Sequence, residues 1–486
     1  VLATCFAKFK KAIQEEQQSK DGTKLKSEPM NYTEYISQKL LCIPPSGLES
    51  IPPLPTSLFP HQVALVEWAL RRGRCAIFAD TGLGKTRMEI AWADAIAEHT
   101  GKPVLILAPL AVAKQTSSEG TALCVDVNVC ADDSDVDHGV NVTNYDKLHR
   151  FDPERFGGVV LDESSIIKHH DAKTFSLLTE AFKRTPYRLA ATATPAPNDW
   201  TEFGTHAEFL GICSRVEMLS EFFVHDGGET SVWRLKGHAR HAFWKWVVAW
   251  GALIRNPADL GFDGSFYELP PLHFHEHSVE CNNPSEGMLF AMEAQTLSER
   301  RSARRASIDD RVNACAEIVN AQPNEPWVIW CDLNDESRKL VEAISGAVEI
   351  TGSDSTETKE SRLGDFANGR ITRLVSKPSI CGWGLNWQHC ARQAFVGVTD
   401  SWEAYYQAVR RSWRFGQKRD VHVHIFSSAA EGSIVSNLKR KERDAVAMSE
   451  ALSAETADSV RASVIGSNRQ SNPYNSTKQI KVPLFL

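Results

Sequence analysis

Apolar residues along this chain gather into short unbroken runs instead of alternating with polar ones. Between about residues 59 and 210 the runs CAIFAD, PVLILAPL, FGGVVLDE and YRLAATATP are separated by stretches of helical periodicity. Unbroken apolar runs of about four to six residues between helices predict strands covered on both faces, as in a parallel α/β sheet. The same pattern returns from about 311 to 430 in PWVIWCD, ITRLVS, QAFVGV and VHVHIF. The stretch between is aromatic-rich and helical in pattern, broken by GGE and NPADLGFDG. In HAFWKWVVAWGALIR, Phe243, Trp246, Val247, Trp250 and Ile254 recur at helical spacing and predict a core-facing stripe. Trp244 falls off that stripe and is left to stack on a base or on another domain.

The pattern divides the chain into five parts: an N-terminal extension with a proline-rich link (1–48), a first α/β lobe (49–212), a helical insert (213–310), a second α/β lobe with a basic C-terminal helix (311–452), and a tail (453–486). The tail is rich in Ser, Asn, Ala and Thr up to residue 478, which predicts an unstructured segment. The expected fold class is α/β, with two parallel-sheet lobes and a helical insert between them.

Composition narrows the function classes. A content of 42% hydrophobic and 24% charged residues is that of a protein able to bury real cores. A formal charge of −7 argues against wholesale binding of polyanions while leaving room for local basic patches. No apolar run reaches the roughly 18 residues that a membrane span needs. Eleven cysteines without a CxxC pair suit a reducing compartment. The start lacks the apolar core of a signal peptide, and Met30 is the expected natural start.

The chemistry concentrates in two places. FADTGLGKT (78–86) follows an apolar strand and opens a helical run. Gly82 and Gly84 allow successive backbone N–H groups to converge on phosphate oxygens, and the helix N-terminus adds its dipole. Lys85 would reach the β- and γ-phosphates, and the Thr86 hydroxyl would ligate Mg2+. The strict motif wants a glycine where this chain has Ala79. Downstream, GGVVLDESS places Asp162 and Glu163 at the C-terminal end of a strand, where such sheets bind ligands. There Asp162 would hold Mg2+, and Glu163 would orient and deprotonate an attacking water.

FPHQ, ADTGLGKT, LAPLAV, VTNY, LDES, ATATP, WVIWCD, GWGLNW and QAVRRSWRFGQ occur in the order of superfamily-two helicase motifs. From about residue 50 to 445 the chain resembles the Swi/Snf-like branch, and more closely the short helicases of bacteriophages and prophages. The resemblance implies two RecA-like lobes with ATP between them. It implies that Gln62 recognises adenine, that the loop Thr81–Thr86 binds the phosphates, that Gln407 sits in the cleft, and that Arg411 and Arg414 reach the γ-phosphate from the second lobe. Arginine supplied across a closing cleft makes hydrolysis depend on closure. Thr192 and Thr194 resemble the coupling motif, and Asp400 with Trp402 the step before the arginine motif. Two departures stand out: Ser165 replaces the usual histidine of the DEAH-type box, and the segment SKPSICGWGLN is longer than usual. Ser376, Lys377 and Asn386 are its candidate DNA contacts. No reader segment is present, so nucleosome remodelling is not carried over.

Further candidate DNA contacts are Arg300, Arg301, Arg304 and Arg305 on one helical face, with Lys439, Arg440 and Lys441; an ion-paired solvated face is the alternative. His273, His275 and His277 share one face of an extended strand, which favours a solvated edge strand over a metal site. The terminal QIKVPLFL resembles the peptides by which replication proteins dock on the bacterial sliding clamp. In that mode Gln479 bonds at the pocket entrance while Val482, Leu484 and Phe485 fill apolar hollows; the alternative is that these residues fold back onto a lobe. The expected function is an ATP-driven DNA translocase or helicase of phage replication or recombination, acting on duplex or forked DNA as a monomer in the bacterial host cytoplasm. The rival readings are an ATP-switched DNA-binding protein without catalysis, and an RNA-directed helicase.

Overall fold

The computed structural model describes residues 43, 45–109, 112–197, 199–226, 229–279, 304–381, 386–397, 401–428, 440, 443 and 457–466. Two parallel sheets dominate it, so the α/β class expected from the apolar runs is what the backbone forms.

The first lobe opens with helix α1 (Pro60–Arg72), whose proline occupies the first turn, where a missing N–H costs nothing. Strand β1 (Arg74–Ala79) feeds helix α2 (Lys85–Thr100), followed by β2 (Val104–Ala108), α3 (Ala113–Ala122), β3 (Val127–Val129) and β4 (Val140–Asn144). Strand β5 (Gly158–Asp162), helix α4 (Lys173–Ala181) and strand β6 (Tyr187–Ala191) complete the pattern. The sheet order is β3-β4-β2-β5-β6-β1-β9, all parallel. Strands β2 and β5 are buried throughout, which explains why they are apolar without alternation; β4 is buried as well, although Asn141, Thr143 and Asn144 are polar.

The stretch 213–310 is less uniformly helical than its pattern predicts. After α5 (Phe203–Leu210) and α6 (Arg215–Phe222), β7 (Phe223–Asp226) and β8 (Glu229–Leu235) form an antiparallel hairpin. Helix α7 (Arg240–Val248) ends just before Gly251, and β9 (Gly251–Ile254) joins the first sheet beside β1. The stripe therefore lies on two elements: Phe243, Trp246 and Val247 on α7, Trp250 after it and Ile254 on β9, all buried. Trp244 is buried as well, edge-on to Trp200 at 5.2 Å and to Phe203 at 5.8 Å. This corrects the expectation of a free stacking ring. Trp200, distant in sequence, supplies the surface that covers it.

The second lobe begins with β10 (Leu272–Val279), then α8 (Ile308–Asn320), β11 (Trp327–Trp330), α9 (Asn334–Ala343), β12 (Ala347–Ile350), α10 (Thr356–Ala367), β13 (Arg373–Ser376), β14 (Arg392–Phe395), α11 (Trp402–Val409) and β15 (Val421–Ser428). Its sheet runs β10-β15-β14-β11-β13-β12, again all parallel. Both faces are covered: Val328 and Trp330 pack with Phe366, Trp387 and Phe395 on one side, Trp327 and Ile329 with Val319 and Leu340 on the other.

Strand β10 is an edge strand, and its histidines pair with those of β15. His275 Nε2 lies 2.9 Å from His422 Nδ1, His277 Nε2 lies 3.0 Å from His424 Nδ1, and His273 meets Asp420 at 3.1 Å. Among the described residues no group of His, Cys, Asp and Glu is arranged to hold a metal.

Residues 457–466, expected within an unstructured tail, form a helical turn against α1. Val460 is buried there, and Trp68 Nε1 donates to Ser463 Oγ at 2.9 Å. Val460 and the half-buried Val464, four apart, give this short segment the apolar side that its polar composition concealed. No helix among the described residues is long and apolar enough to cross a membrane.

Candidate active site

Strand β1 ends at Ala79, and the chain turns through Asp80–Gly84 into α2. Gly82 and Gly84 have φ of +94° and +81°, left-handed conformations that a side chain resists. Space is closed to them too: a Cβ on Gly84 would come within 2.2 Å of Gln62 Nε2, and one on Gly82 within 2.8 Å of Phe415 Cβ. The turn is thus packed between the first lobe's Gln62 and the second lobe's Phe415. Lys85 Nζ donates to Ala79 O at 2.9 Å, which draws its ammonium over the loop.

The cavity above the loop measures about 260 Å3. Thr81, Gly82, Gly84, Lys85, Thr86, Asp162 and Glu163 of the first lobe line it, with Gln62 at one side; Arg411, Arg414, Asn386 and Phe415 line it from the second lobe. The structure therefore brings together the phosphate-loop residues, both carboxylates and both arginines. Gln62 is buried; its Nε2 donates to Leu83 O at 3.0 Å and its Oε1 accepts from Phe59 N at 3.0 Å. Gln407 is buried beside the cavity, where its Oε1 accepts from Arg411 Nη2 at 3.1 Å and its backbone oxygen from Arg411 Nε at 3.0 Å. It orients the guanidinium.

Electrostatics favour an anion here. Burial pushes Arg411 down to about 10, and burial with two neighbouring arginines pushes Arg414 down to about 9. Desolvated cations of this kind are stabilised by a negative partner entering the cavity. On the other side Asp162 is buried, and burial with the adjacent Glu163 pushes it up to about 7. Glu163 itself has φ of +52°, a strained backbone that turns its carboxylate from the strand end toward the cleft. Thr192 Oγ1 donates to Glu163 Oε2 at 3.3 Å, Thr194 N donates to Thr192 Oγ1 at 3.1 Å, and Thr194 Oγ1 meets Glu403 Oε1 of the second lobe at 3.4 Å. The two threonines thus connect the carboxylate to the opposite lobe.

Other expected contacts are dispersed. Ser376 is buried and donates to Ile350 O at 2.8 Å, and Lys377 is half-buried beside it. Asn386 faces the phosphate-loop cavity, not an outer groove. Arg304 is buried in an ion pair with Asp332 at 2.5 Å, while Arg305 is exposed. Ser165 is buried. Asp400, Arg300, Arg301, Lys439, Lys441 and the tail peptide with Gln479, Val482, Leu484 and Phe485 lie outside the described residues.

Sequence reasoning passed over several residues here. Tyr267, from the segment joining the lobes, lines the cavity and stacks on Phe415 with centroids 4.6 Å apart. No periodicity marks it. Glu89 on α2 is fully buried against Asp162, and its position four residues past Lys85 was the available signal. Tyr145 Oη donates to Asp162 O at 2.6 Å and fixes the strand end.

A glycine turn at a helix N-terminus, two carboxylates at the end of β5 two strands away in the same sheet, and two arginines facing them from a second parallel-sheet lobe define a two-lobed α/β protein whose lobes share one polar cleft. Residues 61–225, most of the first lobe and the start of the insert, match the family described as the SNF2-related domain. Among solved structures the chain is similar to the SWI2/SNF2 ATPase core of Sulfolobus solfataricus in complex with dsDNA, at 20% identity and a TM-score of 0.40, covering 80% of this chain and 90% of that one. Comparison with curated proteins gives no match.

Proposed function

We propose that this chain is an ATP-dependent DNA translocase or helicase of the Swi/Snf-like branch, in which hydrolysis between two RecA-like lobes drives movement on DNA. The observation that carries the reading is the cavity shared by Lys85, Glu163, Arg411 and Arg414, two residues from each lobe. The SNF2-related match over 61–225 supports it.

In this reading the loop amides and Lys85 hold the β- and γ-phosphates, and Gln62 meets the adenine. Glu163 takes the proton of the attacking water. Arg411 and Arg414 stabilise the charge that develops on the transferred phosphoryl. The Thr86 hydroxyl and the Asp162 carboxylate line the same cavity and offer the hard oxygen donors that Mg2+ takes, so they would hold that ion. Bound Mg2+ would neutralise phosphate charge. Thr192 and Thr194 pass the state of Glu163 to Glu403 on the second lobe, which is the geometry that coupling needs. The finer parts of the proposal are a role in phage replication or recombination in the host cytoplasm, a monomeric state, and docking on the sliding clamp through the terminal peptide.

The test is ATP hydrolysis by the purified chain with single-stranded DNA, duplex, a fork and RNA. Stimulation by duplex or fork supports the proposal, stimulation by RNA alone transfers it to the RNA-directed class, and nucleotide-sensitive DNA binding without turnover marks the ATP-switched binder.

A further inference from the structure

Helix α11 presents one face to the first lobe. Glu403 and Tyr406, three apart, lie on that face, and Arg410 follows one turn on at the helix end, a spacing that puts all three on one side. At the near end, Lys168 forms an ion pair with Glu403, and Thr194 joins them. At the far end, Arg410 forms an ion pair with Asp80, the first residue of the phosphate-loop turn. Tyr406 bridges this pair: its hydroxyl donates to Asp80 Oδ1 at 3.0 Å and accepts from Arg410 Nε at 3.0 Å. Thr81 N also donates to Asp80 Oδ1, at 2.6 Å, so the carboxylate is fixed within its own loop. The Arg410 guanidinium lies over the rings of Trp413 and Tyr406, at 4.9 and 5.3 Å. Its side chain is only 5% exposed.

We infer that this face is an interlobe latch, with Arg410 a positioning residue that must seat on Asp80 before Arg411 and Arg414 can face the phosphate loop. The physical argument is the burial of the pair. A desolvated guanidinium is stable when its carboxylate is seated against it and strongly penalised when left alone, so partial engagement is disfavoured and the junction has two states. Arg411 is the next residue, and its guanidinium is already fixed to the helix through Gln407. Where Arg410 goes, Arg411 follows. The contact is also asymmetric in a useful way: Asp80 belongs to the turn that carries the phosphate-binding amides, so the latch registers the shape of that turn directly.

The kinetic part of the test rests on the ATPase reading; the shape measurement does not. Arg410→Gln and Asp80→Asn should each lower kcat at saturating DNA by about tenfold or more while KM for ATP moves by less than about threefold, because an interaction that orients the arginines acts on the closed state. The double variant should be no slower than Arg410→Gln alone, since both remove one junction. In nucleotide-free solution, small-angle scattering should give a larger radius of gyration for Arg410→Gln than for the unaltered chain. A circular dichroism spectrum and melting temperature for each variant exclude loss of fold, and Arg410→Lys, which keeps the charge, should recover part of the rate. Single variants with the unaltered kcat, or losses that multiply in the double variant, overturn the latch. If the unaltered chain hydrolyses no ATP, the functional reading fails by itself, and scattering alone decides: an extended Arg410→Gln upholds the latch, an unchanged one removes it.

Discussion

Replacing Arg311 by methionine should unfold the second lobe more readily than any exposed substitution in it. Arg311 and Glu336 are both fully buried, with Arg311 Nη1 2.8 Å from Glu336 Oε1. Arg311 also donates to Ser307 Oγ at 3.0 Å, to Arg304 O at 2.6 Å and to Val396 O, and so joins α8 to the end of β14. Glu336 Oε2 accepts from Asp332 N and Leu333 N, each at 2.9 Å, which caps α9. Removing the arginine leaves a buried carboxylate without its cation, a loss of about 3–5 kcal/mol. The contact at Oε1 is close in charge yet poorly aligned as a hydrogen bond, which places the loss near the lower end, at about 3 kcal/mol. For a lobe of this size that lowers the melting temperature by about 6–12 °C. Thermal unfolding followed by tryptophan fluorescence reads it, because Trp327 and Trp330 lie in the affected lobe. Arg311→Met with Glu336→Gln should regain roughly half of the loss, since the amide still caps α9 but carries no orphan charge. A single variant that melts within about 2 °C of the unaltered chain, or a double variant worse than the single, refutes the reasoning.

Four other outcomes follow from the same contacts. Glu163→Gln should bind ATP normally and hydrolyse it at least about a hundredfold more slowly, read by nucleotide titration beside a phosphate-release assay. Arg414→Ala should cut the DNA-stimulated kcat by about a hundredfold or more with little change in ATP affinity, and a pure loss of affinity would remove it from the chemistry. Trp244→Ala should cost about 3–5 kcal/mol of stability in chemical denaturation and leave the preference among DNA substrates unaltered, since the ring is core. Burial and the neighbouring His275 and His277 push His424 down to about 3, from an ordinary value of 6.5, so its neutral form contributes stability above pH 6.5 that is lost as pH falls from there toward 3. The melting temperature of His424→Gln should accordingly fall less steeply over that window than that of the unaltered chain.

Local signals explain which parts of the architecture can be read from the chain. Runs such as VLILA and GVVLD, short, β-branched and set between helical stretches, read as strands covered on both sides, and GLGKT after such a run reads as a tight turn into a helix, so β2, β5 and the phosphate loop were legible. What escaped depends on partners far away in sequence. Strand β9 is four residues at the end of a helical pattern, and only its pairing with β1 makes it a strand. Trp244 looked free because the ring that covers it, Trp200, lies in another element. The spacing of Glu403, Tyr406 and Arg410 is visible, yet Lys168 and Asp80, which give it meaning, lie more than two hundred residues earlier. Arg304 was expected at a groove because its basic neighbours are visible and Asp332 is not.

The turn at 457–466 ties two separate parts of the first lobe's surface together. The polypeptide crosses from the first lobe to the second between β9 and β10, and after β15 it returns to lie on α1, where Val460 is buried and Ser463 accepts the Trp68 hydrogen bond. Arg461 packs beside Gly261, on the outgoing crossing itself. Residues 457–466 thus touch both the first helix of the first lobe and the segment that leaves that lobe for β10, so a shift in how that segment departs would disturb Val460 and the Trp68–Ser463 hydrogen bond as well.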